Sequence, residues 1–273
     1  MKDGKYRLME SLKQMISATL AGGLGNMLFQ IAASSSLAWD NKDTPVYNIQ
    51  DYVTLPHRPP TEYLTTIFKK LTLVQNTKEY PEYHYDDIPF KKIKYSNPLR
   101  LYGYFQNEKY FKNNQEKIKL LFEPSSSMLN YINKYYQNIL KGVTASIHVR
   151  RGDYLQLENE HPILKTEYYH RALKHLPKID HILIFSNDND WCSENLKFSE
   201  NFTIIKEDDV TSLYLMSMCN HNIIANSTFS WWAAWLNKNK NKTIVGPEKW
   251  FGPGIQSSCK EIMPLHWIRE RGF

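Results

Sequence analysis

From residue 141 onward the chain alternates short apolar stretches of strand character with amphipathic stretches of helical length. That rhythm restricts the fold more than any single motif. Strands are read at 143–149, 181–186, 202–205, 221–225 and 243–245, and helices at 166–176, about 190–196, 209–219 and 228–237. Strands that alternate with helices build a parallel sheet covered on both faces. A similar unit opens the chain: residues 16–21 form a strand, and Gly22-Gly23-Leu24-Gly25-Asn26 turns it into a helix carrying Leu28, Phe29, Ala32, Ala33 and Leu37. A second strand is expected at 45–49, another at 99–105, and polar-faced helices at 112–122 and 125–140, the last two separated by Pro124 and a serine cluster. Residues 51–98 show no clear period. The expected fold is α/β with two Rossmann-like halves, 1–140 and 141–273, facing a central cleft.

Composition sets the class. At 273 residues, 42% of them hydrophobic, the chain can bury a substantial core. Its formal charge of +6 is spread over scattered lysines, with no run long enough to read as a basic arm, so nucleic acid is not an expected partner. Cys192, Cys219 and Cys259 have neither zinc nor disulfide spacing, which fits a reducing compartment. The charged start and the glycine break at Gly22-Gly23 leave neither a signal peptide nor a transmembrane helix in the sequence. A cytoplasmic protein is expected, with peripheral membrane association left open.

Three strand ends carry the chemistry. The first is Ala145-Ser-Ile-His148-Val-Arg150-Arg151-Gly152-Asp153-Tyr154, where alternating apolar residues run into two arginines and a turn. The carboxyl end of a strand in an open α/β sheet faces the ligand crevice, and a planar guanidinium suits paired phosphate oxygens. A surface pair between Asp153 and either arginine is the plainer alternative. The second end, Ser186-Asn187-Asp188-Asn189-Asp190, reads as a ligand loop, as a D-x-D metal pair on a diphosphate, or as an Asx turn and helix cap. The third, Asn226-Ser227-Thr228-Phe229, leads a strand into a helix carrying Trp231, Trp232 and Trp235. Hydroxyls and free N–H groups at a helix start suit a phosphate, although Ser and Thr are also ordinary caps. The tryptophans are expected to pack on the sheet. Asn226 also begins a glycosylation sequon.

Four motifs in order, Gly22-Gly-Leu-Gly-Asn26, Gly103-Tyr-Phe-Gln-Asn-Glu-Lys-Tyr-Phe111, His148-Val-Arg-Arg-Gly-Asp-Tyr154 and Asn226-Ser-Thr-Phe-Ser-Trp-Trp232, resemble family 11 glycosyltransferases, the α-1,2-fucosyltransferases. The resemblance spans roughly residues 16–250. It implies a two-domain GT-B fold, GDP-fucose as donor, inversion at the anomeric carbon, no metal or other cofactor, and a terminal β-galactoside as acceptor. It implies roles for particular residues as well. Arg150 would hold the donor diphosphate with Ser227, Thr228 and Phe229, and His148 and Asn226 fall within the same motifs. Gly22, Gly23, Gly25 and Asn26 would line the cleft near the reacting sugar, and Ser186 and Asp188 would lie on the nucleotide side. Two positions depart from the family pattern: Met27 stands in place of a usual Gln, and Asn187 in place of a frequent carboxylate.

The implied reaction needs charge stabilised on departing GDP and a base for the acceptor hydroxyl. Asp153, Glu158 and His161 are the candidates for the base, with Asp153 ranked first, and Arg151 is expected to orient Asp153. Two rival readings remain: a metal-dependent transferase built on Asp188-Asn189-Asp190, and a non-catalytic carbohydrate-binding or adhesion module using Arg151-Gly152-Asp153 and the tryptophans.

Overall fold

The computed structural model describes residues 15–53, 58–85, 89–255 and 261–272. The chain divides into two compact units between Glu123 and Pro124. Cys259 lies outside the described residues.

The first unit contains β1 (Met15–Ala18), α1 (Leu24–Asp40), β2 (Thr44–Pro45), β3 (Glu82–His84), β4 (Leu99–Tyr102) and α2 (Gln115–Leu121). Its four strands are all parallel, in the order β2-β1-β4-β3. Ile16 and Ala18 pair in register with Leu99 and Leu101, and all four are buried. The α1 helix is buried nearly all round, including Ser34, Ser35 and Ser36. Their hydroxyls are not exposed punctuation: the Tyr47 hydroxyl lies 3.0 and 2.7 Å from those of Ser34 and Ser35 and donates to the Ile31 carbonyl. The strand expected at 45–49 is shorter than its sequence suggests. Val46 still donates to Ile16, but Asn48 then caps a 3-10 turn at Ile49–Asp51. Sequence gave no sign of β3, because its residues are exposed or half-exposed and show no apolar alternation.

The second unit contains α3 (Ser126–Leu140), β5 (Thr144–Val149), α4 (Thr166–Leu173), β6 (His181–Ser186), α5 (Asn189–Asn195), β7 (Asn201–Ile205), α6 (Asp209–Met218), β8 (His221–Ile223), α7 (Thr228–Leu236), β9 (Ile244–Pro247) and β10 (Ile268–Glu270). The division between the units falls ahead of α3, not after it at residue 140. Helix α3 packs on α6, and the hydroxyls of its Tyr131 and Tyr136 donate to Glu207 just before that helix.

All six strands of this unit are parallel, ordered β10-β9-β8-β5-β6-β7. Taken in chain order this is the doubly wound arrangement, in which the strand order reverses between β5 and β8 and a crevice opens beyond their carboxyl ends.

Every residue of β5 is buried, so its sequence alternation does not mark a solvent face. Two of its three polar side chains are satisfied internally. Ser146 Oγ accepts from Asn222 Nδ2 at 2.7 Å, and Thr144 Oγ1 donates to Asn220 Oδ1 at 3.0 Å. Asn222 also donates to the Met216 carbonyl and accepts from Asn237 at the end of α7, so one buried amide joins β5, α6, β8 and α7. Trp231 and Trp232 are fully buried and Trp235 nearly so, as expected for core packing. Among the described residues no helix is long and apolar enough to cross a membrane.

Removing a partner from a buried polar web leaves the others unsatisfied, at about 1–3 kcal/mol for each stranded group. Asn222→Leu, close in volume, is therefore expected to lower stability by at least about 2 kcal/mol by the same reckoning. Urea denaturation followed by circular dichroism measures it; an unchanged midpoint would show that the web contributes nothing.

Candidate active site

Beyond Val149 the chain enters Arg150 and Arg151, and consecutive side chains at a strand end point opposite ways. Arg150 reaches Asp153: its Nη2 lies 2.7 Å from one carboxylate oxygen and 2.9 Å from the other. Its guanidinium sits 5.1 Å from the centre of the Tyr154 ring, while its Nε is buried without a partner. Arg151 turns away. Its Nε donates to Asp188 Oδ2 at 3.0 Å and its guanidinium lies 4.2 Å over Trp191. The expectation that Arg151 orients Asp153 is corrected: Arg150 holds that carboxylate. Gly152 then takes φ +51°, left-handed backbone that suits glycine.

At the end of β6, Ser186 Oγ accepts from the Asp188 amide and Asn187 Oδ1 accepts from the Arg151 amide, both at 2.9 Å. Asp188 caps α5, its Oδ1 accepting from Trp191 N at 3.2 Å, while Oδ2 holds Arg151. Of the three readings of this loop, the structure adopts the helix cap. Asp188 divides its two oxygens between the start of α5 and the Arg151 side chain. Among the described residues no group of three or more His, Cys, Asp or Glu side chains converges to hold a metal. The Arg151-Gly152-Asp153 tripeptide is likewise not a free tip, since both charged side chains are paired.

At the end of β8, Asn226 is buried, with its Nδ2 donating to the Pro162 and Trp250 carbonyls at 3.1 and 3.2 Å. Its own carbonyl accepts from the Tyr154 hydroxyl at 3.1 Å. Tyr154 stacks on His161, with ring centres 4.6 Å apart and planes 15° from parallel. Asn226 thus joins three segments and is no glycosylation site in this fold. Ser227 occupies the N-cap position of α7, but its hydroxyl does not cap the helix. Phe229, in the first turn, meets the His148 ring edge-on at 5.5 Å.

Burial, reinforced by the nearby Arg150 charge, lowers the His148 pKa to about 3, so this imidazole is neutral at neutral pH. Burial likewise lowers that of His161, opposed by Asp153 and Glu160, and raises that of Tyr154 to about 12. Glu158, the remaining candidate base, is exposed. Five polar atoms around these strand ends are buried and unpartnered: His148 Nδ1, Arg150 Nε, His161 Nδ1, Asn189 Oδ1 and Asn226 Oδ1. Buried polar groups are almost always hydrogen-bonded, so such a concentration calls for an explanation.

The first unit has its own reversal of strand order, between β1 and β4. After β1, Gly22 takes φ +75°, and a Cβ there would meet Asn26 Nδ2 at 2.5 Å. Gly23 is the N-cap of α1, and Leu24 and Gly25 begin the helix. Asn26 Oδ1 accepts from Gln106 Nε2 at 3.0 Å. Gln30, which sequence reasoning missed, ties the two strand exits: its Oε1 accepts from Ala21 N at 2.9 Å and its Nε2 donates to the Gly103 carbonyl at 3.1 Å. Its polar side chain between the apolar runs Met27–Phe29 and Ile31–Ala33 was the available signal. Met27 is fully buried in the core.

His148, His161, His181 and His221 all have folded pKa values depressed by burial. Above about pH 6.5, the unfolded value, these groups are neutral in both states and the stability is fully present. As pH falls, the unfolded chain takes up protons that the folded one refuses, and stability is lost. Urea midpoints are expected to fall between pH 7 and 4.5, above the range where the lowered Glu270 carboxyl protonates. His148→Gln should make that fall shallower. An identical slope in the variant would show that His148 is not held neutral.

The sequence profile described as "Glycosyl transferase family 11" matches residues 2–270. The chain is 29% identical to the O-antigen biosynthesis glycosyltransferase WbnK of Escherichia coli, over 87% of this chain and 95% of that one. It is 28% identical to an α-1,2-colitosyltransferase of the same organism, over 93% and 98%. With galactoside α-(1,2)-fucosyltransferase 1 of Lagothrix lagotricha it shares 26% identity, over 79% and 63%. Among solved structures it is similar to NodZ α-1,6-fucosyltransferase soaked with GDP-fucose, with a TM-score of 0.53 at 13% identity over 82% of this chain and 92% of that one. It is also similar to POFUT1 in complex with GDP-fucose, with a TM-score of 0.54 at 12% identity over 86% and 98%. The fold is that of these GT-B-like fucosyltransferases, and with a match across nearly its whole length the chain belongs to glycosyltransferase family 11.

Proposed function

We propose that the protein transfers L-fucose from GDP-fucose to the 2-hydroxyl of a terminal β-galactoside, inverting the anomeric centre and using no metal. The observation that carries this reading is the Arg150 guanidinium at the β5/β8 switch point, its Nε buried without a partner, beside a helix start without a side-chain cap. Such a place suits a diphosphate: the guanidinium offers paired donors, and the first-turn amides of α7 add positive dipole. The names of the E. coli colitosyltransferase and the primate fucosyltransferase support an α-1,2 linkage.

In this reading Arg150 and the residues 227–229 stabilise charge on GDP as the sugar–phosphate bond breaks. The acceptor hydroxyl attacks the opposite face of an oxocarbenium-like sugar. Asp153 takes the hydroxyl proton. Without donor it is bound to Arg150; a diphosphate that engages the guanidinium frees the carboxylate for that task. Gly22, Gly23, Gly25 and Asn26 serve the sugar side, and His148, Ser186, Asp188 and Asn226 shape the nucleotide side, Asp188 acting through Arg151. A cytoplasmic setting is part of the proposal. Transfer of a colitosyl residue is the second reading, favoured by the 28% identical relative.

GDP release on mixing purified protein with the donor and a panel of galactosides tests the activity. Turnover is expected to persist in excess EDTA, and GDP should compete where UDP does not. Loss on chelation with rescue by Mg²⁺ or Mn²⁺ defeats the metal-independent mechanism, and equal competition by UDP defeats the guanine assignment. Offering fucosyl and colitosyl donors side by side decides the sugar.

Arg150→Lys keeps the charge and loses the fork, so turnover should fall with the fold intact; Arg150→Ala should lose about a hundred- to a thousandfold or more, typical of one preorganised charge stabiliser. Asp153→Asn should lower kcat while GDP affinity holds or tightens, since the competing carboxylate charge is gone. Were Arg150 only half of an exposed ion pair, its removal would cost about 1 kcal/mol of stability or less and leave turnover near wild type.

A further inference from the structure

We propose that Asn187 is a positioning residue that sets the backbone of the arginine turn, a role that rests on reading this turn as the diphosphate site. The β5–β6 ladder ends at the pair Val149 and Ser186, and beyond it each strand turns away. The Arg151 amide there finds Asn187 Oδ1, at 2.9 Å, so a side chain extends the ladder one step past its last strand pair. The other end of the same amide lies against Gly152: a Cβ on that residue would come within 2.3 Å of Asn187 Nδ2. Asn187 therefore touches both residues that follow Arg150, one by a hydrogen bond and one by contact. Gly152 is held where its φ of +51° excludes most other residues.

The next residues of the same loop grip the Arg151 side chain. Asp188 pairs with the guanidinium and Trp191 lies beneath it. The 187–191 segment thus fixes Arg151 by backbone and by side chain, and the path of Arg150 follows from that fixed backbone. Placement errors of about 1 Å at such a site cost on the order of a hundredfold. The chemistry of the amide fits this place. A carboxylate, frequent at this place in the family pattern, could accept from the same N–H, and the amide does so here without adding charge.

Titrating GDP into the full chain by calorimetry tests this, with wild type, Asn187→Ala, Arg150→Lys and the double variant. Asn187 is exposed, so its replacement is expected to leave the fold intact. Asn187→Ala should weaken GDP binding by about tenfold, the scale of one hydrogen bond's positioning. Because it acts through the arginine turn, it should add under about threefold on the Arg150→Lys background, since residues in one network are not additive. Wild-type GDP affinity in Asn187→Ala, or losses that multiply in the double variant, overturns the proposal. Hydrogen exchange at the Arg151 amide gives a reading that needs no ligand. Exchange should quicken in Asn187→Ala, and unchanged protection also overturns the proposal. Failure of wild type to bind GDP would instead remove the donor reading and leave the exchange result to judge Asn187.

Discussion

The site depends on two ladders of unequal length. On one side β5 pairs with β6 as far as Val149 and Ser186, while on the other its pairing with β8 stops at Ile147 and Ile223. Past that point β5 and β8 diverge, because the helix after each crosses to a different side of a doubly wound sheet. His148 is consequently the residue at which β5 loses its strand partner on the β8 side. Arg150 follows it into the gap, and Asn226 and Ser227 enter from the other strand. Buried polar atoms without partners collect where the sheet stops supplying them.

Charge in this gap is simplified by burial. His148 is held neutral by desolvation and by Arg150, so the guanidinium is the fixed cation beside it. The partner of that cation, Asp153, is about half exposed. An ion pair open to water is worth little, and an anion that offers two oxygens and excludes water competes well with it. The Arg151–Asp188 pair differs, since it is less exposed and seated on Trp191. The two neighbouring arginines are thus held differently, Arg150 by a pair open to water and Arg151 by a more sheltered pair seated on a ring.

Much of this was legible in the sequence. The strand at 143–149 and its run into two arginines are found almost to the residue from the alternation of apolar and polar positions, and the strand at 181–186 from its dense apolar run. What could not be read depended on contacts remote in sequence. The short strand β3 has no buried alternation, so only its pairing with β4 reveals it. The buried serines of α1 find their partners in Tyr47 and Asn114, which their own stretch of sequence does not show. Which arginine takes Asp153 followed from side-chain direction at the strand end, a detail that spacing does not encode. The boundary ahead of α3 followed from its packing on α6, whereas its polar surface said nothing about which unit it joined.

Both units repeat one device at their switch points. After β1 the chain enters α1 through Gly23, and after β8 it enters α7 through Ser227; neither residue caps its helix with a side chain. Helices α3, α5 and α6 are capped by Ser125, Asp188 and Asp208. A cap occupies the first-turn amides that an anion or a sugar oxygen would otherwise meet, so leaving it out has a cost that only a ligand or water offsets. Missing caps alone do not mark a site, since α2 and α4 also lack them. The distinction lies in what surrounds the helix start. At α7 it is the unpartnered Asn226 Oδ1 and His148 Nδ1, and at α1 it is a glycine turn whose strand exits are locked together by Gln30. In each case the sheet fixes the strand end ahead of a helix start that its N-cap side chain leaves uncapped, and a rigidly held edge is what a transferase needs to hold a substrate without reorganising.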